Sequence, residues 1–98
     1  QIRYINVETQ MKKIDYDGSK NIIGSRLETL RREKGLSQAQ LAARMQTMNV
    51  NIDQQMISRI ERNLRIVTDY ELVCFSRVLG VEEKSLLEDF YKKLEEKG

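Results

Sequence analysis

Apolar residues along this chain recur with a helical rhythm rather than an alternating one. From Asn21 onward, Ile23, Leu27 and Leu30 fall at i, i+4 and i+7, one face of a helix that Gly35 would end in a left-handed turn. Ser37-Gln38-Ala39-Gln40 then has the form of a capping box, in which hydroxyl and amide reciprocally satisfy two free backbone N–H groups. Leu36 and Leu41 flank it as a hydrophobic staple, which predicts a second helix from Gln38 to about Gln46 with Leu41, Ala42 and Met45 inward. Asp53 is the next good cap, stapled by Ile52 and Ile57, and predicts a third helix from about Gln54 to Arg62. Its core residues are Met56, Ile57 and Ile60, and Asn63 takes the left-handed position at its end. Thr68-Asp69-Tyr70-Glu71, stapled by Val67 and Leu72, opens a fourth helix that runs through Phe75 to Leu79 and stops at Gly80. A fifth, from about Glu83 to Glu96, carries Leu86, Leu87, Phe90, Tyr91 and Leu94 on one face.

Helices this short are marginal in water and hold only by packing on one another, so the pattern predicts an all-α, five-helix bundle over residues 21–98. No proline and no Gly/Ser linker divides it. Residues 1–20 lack sustained periodicity and read as a poorly ordered N-terminal extension. Within it, Ile2, Tyr4 and Ile5 could begin a short strand, and Asp15-Tyr16-Asp17-Gly18-Ser19 reads as a turn or loop. Met11 followed by Lys12-Lys13 has the form of a translation start, so residues 1–10 carry no functional weight.

Composition removes whole classes of chemistry. With no histidine and one cysteine, neither a zinc finger nor a Ser-His-Asp or Cys-His catalytic set can be assembled. The carboxylates lie among lysines and arginines on helical faces, with no paired acid and base, so no enzyme activity and no cofactor is expected. No apolar run approaches membrane-spanning length, no signal peptide is visible, and Cys74 alone cannot form an internal disulfide; the expected location is cytoplasmic. Cys74 itself reads as a buried small hydrophobe. Net charge is only +2 but unevenly spread. Residues 21–79 hold nine Arg/Lys against six acids, and residues 80–98 four lysines against six acids, which makes the middle of the chain the phosphate-facing part.

The start of the third helix carries the candidate chemistry. Gln54, Gln55 and Ser58 lie in its first turns and Arg59 one turn beyond Gln55. Glutamine can pair bidentately with adenine and arginine with guanine in the major groove, while serine is short enough to approach either. A glutamine pair at a helix start is equally the ordinary solvated first turn, so spacing alone leaves both readings open.

The stretch 27–87 resembles the Cro/lambda-repressor-like (XRE-type) helix-turn-helix family. The resemblance lies in Arg-Arg-Glu-Lys-Gly-Leu-Ser-Gln-Ala-Gln-Leu-Ala at 31–42, Ile-Ser-Arg-Ile-Glu-Arg at 57–62 and Val-Leu-Gly-Val at 78–81. It implies a five-helix fold that binds double-stranded DNA sequence-specifically, as a transcriptional regulator of repressor type, often as a dimer. Carried over by position, it implies base contacts from Gln54, Gln55, Ser58 and Arg59, and backbone contacts from Gln38, Asn63 and Arg65. It also implies a largely buried structural salt bridge between Arg31 and Glu61. Two departures stand out. Gln46 occupies the place of a turn glycine, and the segment from Ala42 to Ile57 is five residues longer than the family's, so Thr47–Asn51 either extends the second helix or widens the turn. Asn63 replaces the common glycine. Phe90 and Tyr91 are open to two readings, completing the core or pairing with a second subunit. The competing functional class is a protein-interaction module, antitoxin-like, that uses the acidic C-terminal helix. No small-molecule ligand is expected, since the chain has no room for a separate sensing domain.

Overall fold

The computed structural model describes residues 15–97, and the candidate strand near Ile2 and the candidate start at Met11 lie outside the described residues. Five helices follow in order: α1 Gly24–Glu33, α2 Gln38–Gln46, α3 Gln54–Glu61, α4 Asp69–Leu79 and α5 Glu83–Lys97. The fold is all-α, as the periodicity predicts. Local chemistry sets the boundaries. Ser37, Asp53 and Thr68 each accept from the backbone N–H of the third helical residue, and Gln40 and Glu71 reach back to close two of these boxes. At α3 the returning partner of Asp53 N is the Met56 sulfur, 3.4 Å away, a weaker closure than an amide or carboxylate gives. Asn63 takes φ +62° on leaving α3, a conformation costly for most side chains and least so for asparagine.

Leu27 of α1, Leu41 and Met45 of α2, Ile57 and Ile60 of α3, Phe75 of α4 and Leu86 of α5 are all fully buried. Each such side chain contributes about 1.5–3 kcal/mol over its exposed state, which is how helices of eight to eleven residues persist. No helix among the described residues is long and apolar enough to cross a membrane.

The structure refines the sequence reading in four places. The first helix begins at Gly24, inside the stretch where the helical pattern becomes regular, because the Asn21 side chain folds back to accept from Ile23 N and Gly24 N and holds 21–23 in a turn. Order reaches back into the segment read as an extension: Tyr16 and Ser19 form a two-bond turn, and the Tyr16 ring meets Phe90 edge-on at 5.3 Å. Cys74 is half-buried at the margin of the core rather than inside it. Only the first half of α5 packs inward; from Tyr91 to Glu96 every residue is exposed.

Candidate nucleic-acid interface

α3 presents two faces of opposite character. Ile57, Ile60 and Glu61 are buried, while Gln54, Gln55, Arg59 and Arg62 are exposed and Ser58 is half-buried between them. Spacing in a 3.6-residue helix puts Gln55, Ser58, Arg59 and Arg62 along one outward stripe, with Gln54 beside it in the first turn. Gln54 and Gln55 occupy the end where backbone N–H groups and the positive pole of the helix lie, and Asp53 Oδ1 accepts one of those N–H groups, from Met56, at 2.8 Å.

The orientation of this stripe is fixed from behind. Arg31 of α1 donates through Nε to Glu61 Oε2 at 2.6 Å and through a terminal nitrogen to Oε1 at 3.1 Å. Its other terminal nitrogen reaches Leu36 O at 2.8 Å. Gln38 of α2 donates to Glu61 Oε1 at 2.9 Å. One carboxylate on α3 thus receives α1 and α2 together, and Arg31 also pins the turn between those two helices. Both charges are nearly sealed from solvent, with Arg31 6% and Glu61 9% exposed. The Glu61 hydrogen bond, outweighing desolvation, raises the Arg31 pKa above its ordinary value, so the guanidinium is always charged. Gln38 has one amide N–H committed inward, which makes it a brace first.

The lengthened segment before α3 widens the turn rather than extending α2, which ends at Gln46. Met48 and Asn49 form a tight reversal, with Asn49 at φ +63°. Val50 and Ile52 then plug into the core, and the Gln46 amide donates to Ile52 O at 2.9 Å. Gln46, standing where the family pattern has a turn glycine, therefore ties the longer loop shut with its side chain. Thr47, Met48, Asn49 and Asn51 are left exposed beside the start of α3.

Beyond α3, Asn63 is half-buried and its carbonyl accepts from Lys20 N at 3.1 Å. Arg65 is not a free surface cation. Its two terminal nitrogens pair bidentately with the Glu71 carboxylate at 3.0 Å each, and one also reaches Ile66 O. Burial pushes the Glu71 carboxyl up, but the Arg65 and Thr68 hydrogen bonds and the Arg65 charge outweigh it and hold the group below its usual value. The Thr68–Glu71 box is legible in the sequence; that the same carboxylate would claim Arg65 is not, because the pair forms only when the loop folds across the head of α4. Asn21 also escapes a reading by periodicity. Its amide donates at 2.9 Å to both Ile60 O and Arg65 O, tying the end of α3 and the following loop to the head of α1. An Asn just ahead of an apolar helical pattern is a capping signal, but nothing local announces partners some forty residues away.

No curated protein matches the chain. The family model described as "Helix-turn-helix" matches residues 27–86, more than half of the chain. Among solved structures, the chain is similar to the restriction-modification controller protein C.AhdI from Aeromonas hydrophila. The two share 31% identity with a TM-score of 0.58, over 65% of this chain and 89% of that one. The matched family span runs from Leu27 in α1 to Leu86 in α5 and so takes in the braced α2–α3 pair, its exposed stripe and the loop beyond. The chain belongs to the helix-turn-helix family, of the Cro/lambda-repressor-like (XRE) type, whose members are sequence-specific DNA-binding regulators of transcription.

Proposed function

We propose that α3 enters the major groove of double-stranded DNA, with Gln54, Gln55, Ser58 and Arg59 at base edges, and that the protein represses transcription from a palindromic site. The observation that carries this reading is the outward polar stripe of α3 set on a helix immobilised from behind by Arg31, Gln38 and Glu61. The likeness to a restriction-modification controller supports a regulatory role. Asn63 lies on the loop facing the sugar-phosphate backbone, Gln38 approaches phosphate with the amide hydrogen not given to Glu61, and Arg65 acts by fixing that loop. Arg62, exposed at the end of α3, adds a phosphate contact beside that loop. Sites selected from a random DNA pool test this. Arg59→Ala should cost about 1–3 kcal/mol on the selected site and erase preference at one position. Arg62→Ala should weaken specific and random DNA alike and lower the salt slope by about one. Equal losses for Arg59→Ala on both DNAs would sink the base-reading role.

A single recognition helix reads only a few base pairs, and two of them one helical turn apart, about 34 Å, read a palindrome. The dimer face we infer is the exposed apolar strip of Leu64 (49%), Ile66 (42%), Tyr70 (60%) and Val73 (40%). It runs directly from the loop after α3 onto α4, so a symmetric contact there sets the separation of the two reading helices. Phe90 closes on Tyr16, which favours the core reading for that residue. Tyr70→Glu should yield a monomer by sedimentation equilibrium that loses at least about tenfold in affinity for a full palindrome but little for a half-site. A Tyr70→Glu protein that remains dimeric would move the interface to the exposed Tyr91 and Leu94 of α5, the surface that otherwise suits a different protein partner.

A further inference from the structure

We propose that Asn21 is a positioning residue for DNA reading, one that fixes where the recognition helix ends and where the phosphate-facing loop begins. The proposal rests on α3 being the reading helix. Asn21 uses its whole side chain in two directions. Its oxygen accepts from Ile23 N at 3.0 Å and Gly24 N at 2.9 Å, starting α1. Its amide donates to Ile60 O, in the last turn of α3, and to Arg65 O, past the loop, each at 2.9 Å. The two carbonyls bracket residues 61–64, so one planar group sets both ends of the reversal that carries Arg62 and Asn63.

The backbone beside it is fitted to the same purpose. A Cβ on Gly24 would lie 2.5 Å from Ile60 O and 2.6 Å from Asn63 Oδ1, so only glycine lets the head of α1 come this close to the tail of α3. Lys20 N adds a third tie, to Asn63 O. From the other side the Glu71 carboxylate holds Arg65. The loop is therefore clamped between residues 20–24 and the first turn of α4. Preorganisation of this kind acts on binding because a loop already in its bound shape has less ordering entropy to lose on DNA.

The Asn21→Ser variant separates the two directions: its hydroxyl can still accept at the start of α1, but no donor reaches across. Asn21→Asp does the same with the side-chain shape kept, and replaces the donor by an oxygen facing two carbonyls. In the DNA-free proteins, amide exchange at Asn63 and Leu64, whose N–H groups bond to Ile60 O and Arg59 O, should accelerate by about tenfold or more, while Leu41 in α2 is unchanged. On the site selected by the wild type, affinity should fall roughly tenfold and more than on random DNA, so the discrimination ratio drops. Exchange that rises equally at Leu41 makes Asn21 a plain stability residue and overturns the proposal, as does unchanged discrimination in either folded variant. A wild-type protein with no site preference would instead remove the reading of α3; the exchange measurement is made without DNA and reports on the clamp regardless.

Discussion

Glu61→Ala is expected to lower the free energy of unfolding by about 3–5 kcal/mol, read as a shifted urea midpoint, out of a total near 5–15 for a domain of this kind. The loss comes from what is left behind. Arg31 is 6% exposed and keeps only the Leu36 carbonyl, so an always-charged guanidinium is stranded in the core. Gln38 loses its acceptor at the same time. Arg31→Ala strands the Glu61 carboxylate instead and should cost a comparable amount. The double change Arg31→Met with Glu61→Leu should cost far less than the sum of the single losses, since neither charge is then buried alone. The double variant would nevertheless bind DNA poorly. Bidentate and three-way hydrogen bonding fixes the rotation of α3 about its axis, which apolar packing does less sharply, and the outward stripe depends on that rotation. Strict additivity of the single losses would show that the two residues do not act as a pair.

What could be read from the sequence divides along the range of the interactions. Helix ends were legible because caps are local: Ser37, Asp53 and Thr68 each bond within three residues, and Gly80 and Asn63 mark exits by their own backbone freedom. The inward faces were legible because periodicity reports burial, and Leu27, Leu41, Ile57, Ile60 and Leu86 are all sealed as their spacing requires. The Arg31–Glu61 contact came from family likeness alone, because nothing local links residues thirty apart. The Arg65–Glu71 pair and the reach of Asn21 to Ile60 and Arg65 were illegible, since the first forms only when the loop folds across the head of α4 and the second only after the segment before α1 has docked on the end of α3. Tyr91 and Leu94 fit the helical stripe of α5 and are exposed all the same: periodicity identifies a face, and only the fold decides how far along the helix a neighbour covers it. The same limit applies to the residues read as touching DNA. Exposure of Gln54, Gln55 and Arg59 agrees with a reading face, and likeness to a family supplies the reason to expect a duplex there.

Arg65→Ala should cost about 2–4 kcal/mol near neutral pH, and its penalty should shrink as the pH is lowered. In the wild type, Glu71 is 3% exposed yet titrates below its ordinary value of 4.5, because Arg65 and Thr68 overcome the cost of burial. A group whose folded pKa is depressed stabilises the fold above its unfolded pKa, and that stability is lost as the pH falls below 4.5 and through the lowered folded value. Without Arg65 the balance shifts toward burial. Only the Thr68 bonds then offset burial, the depression of the folded pKa shrinks, and the variant has less stability to lose as the carboxyl takes up its proton. The difference between wild-type and variant urea midpoints should therefore be largest at pH 7 and narrow on the way to pH 3, while the other carboxylates, common to both proteins, cancel from it. Glu71→Gln should be milder at neutral pH, because Arg65, 21% exposed, can turn toward water once its partner is neutral. It should also flatten the acid limb of the wild-type curve. A penalty for Arg65→Ala that stays constant from pH 7 to pH 3 would show that Arg65 stabilises the loop through its packing and its bond to Ile66 O rather than through the Glu71 charge.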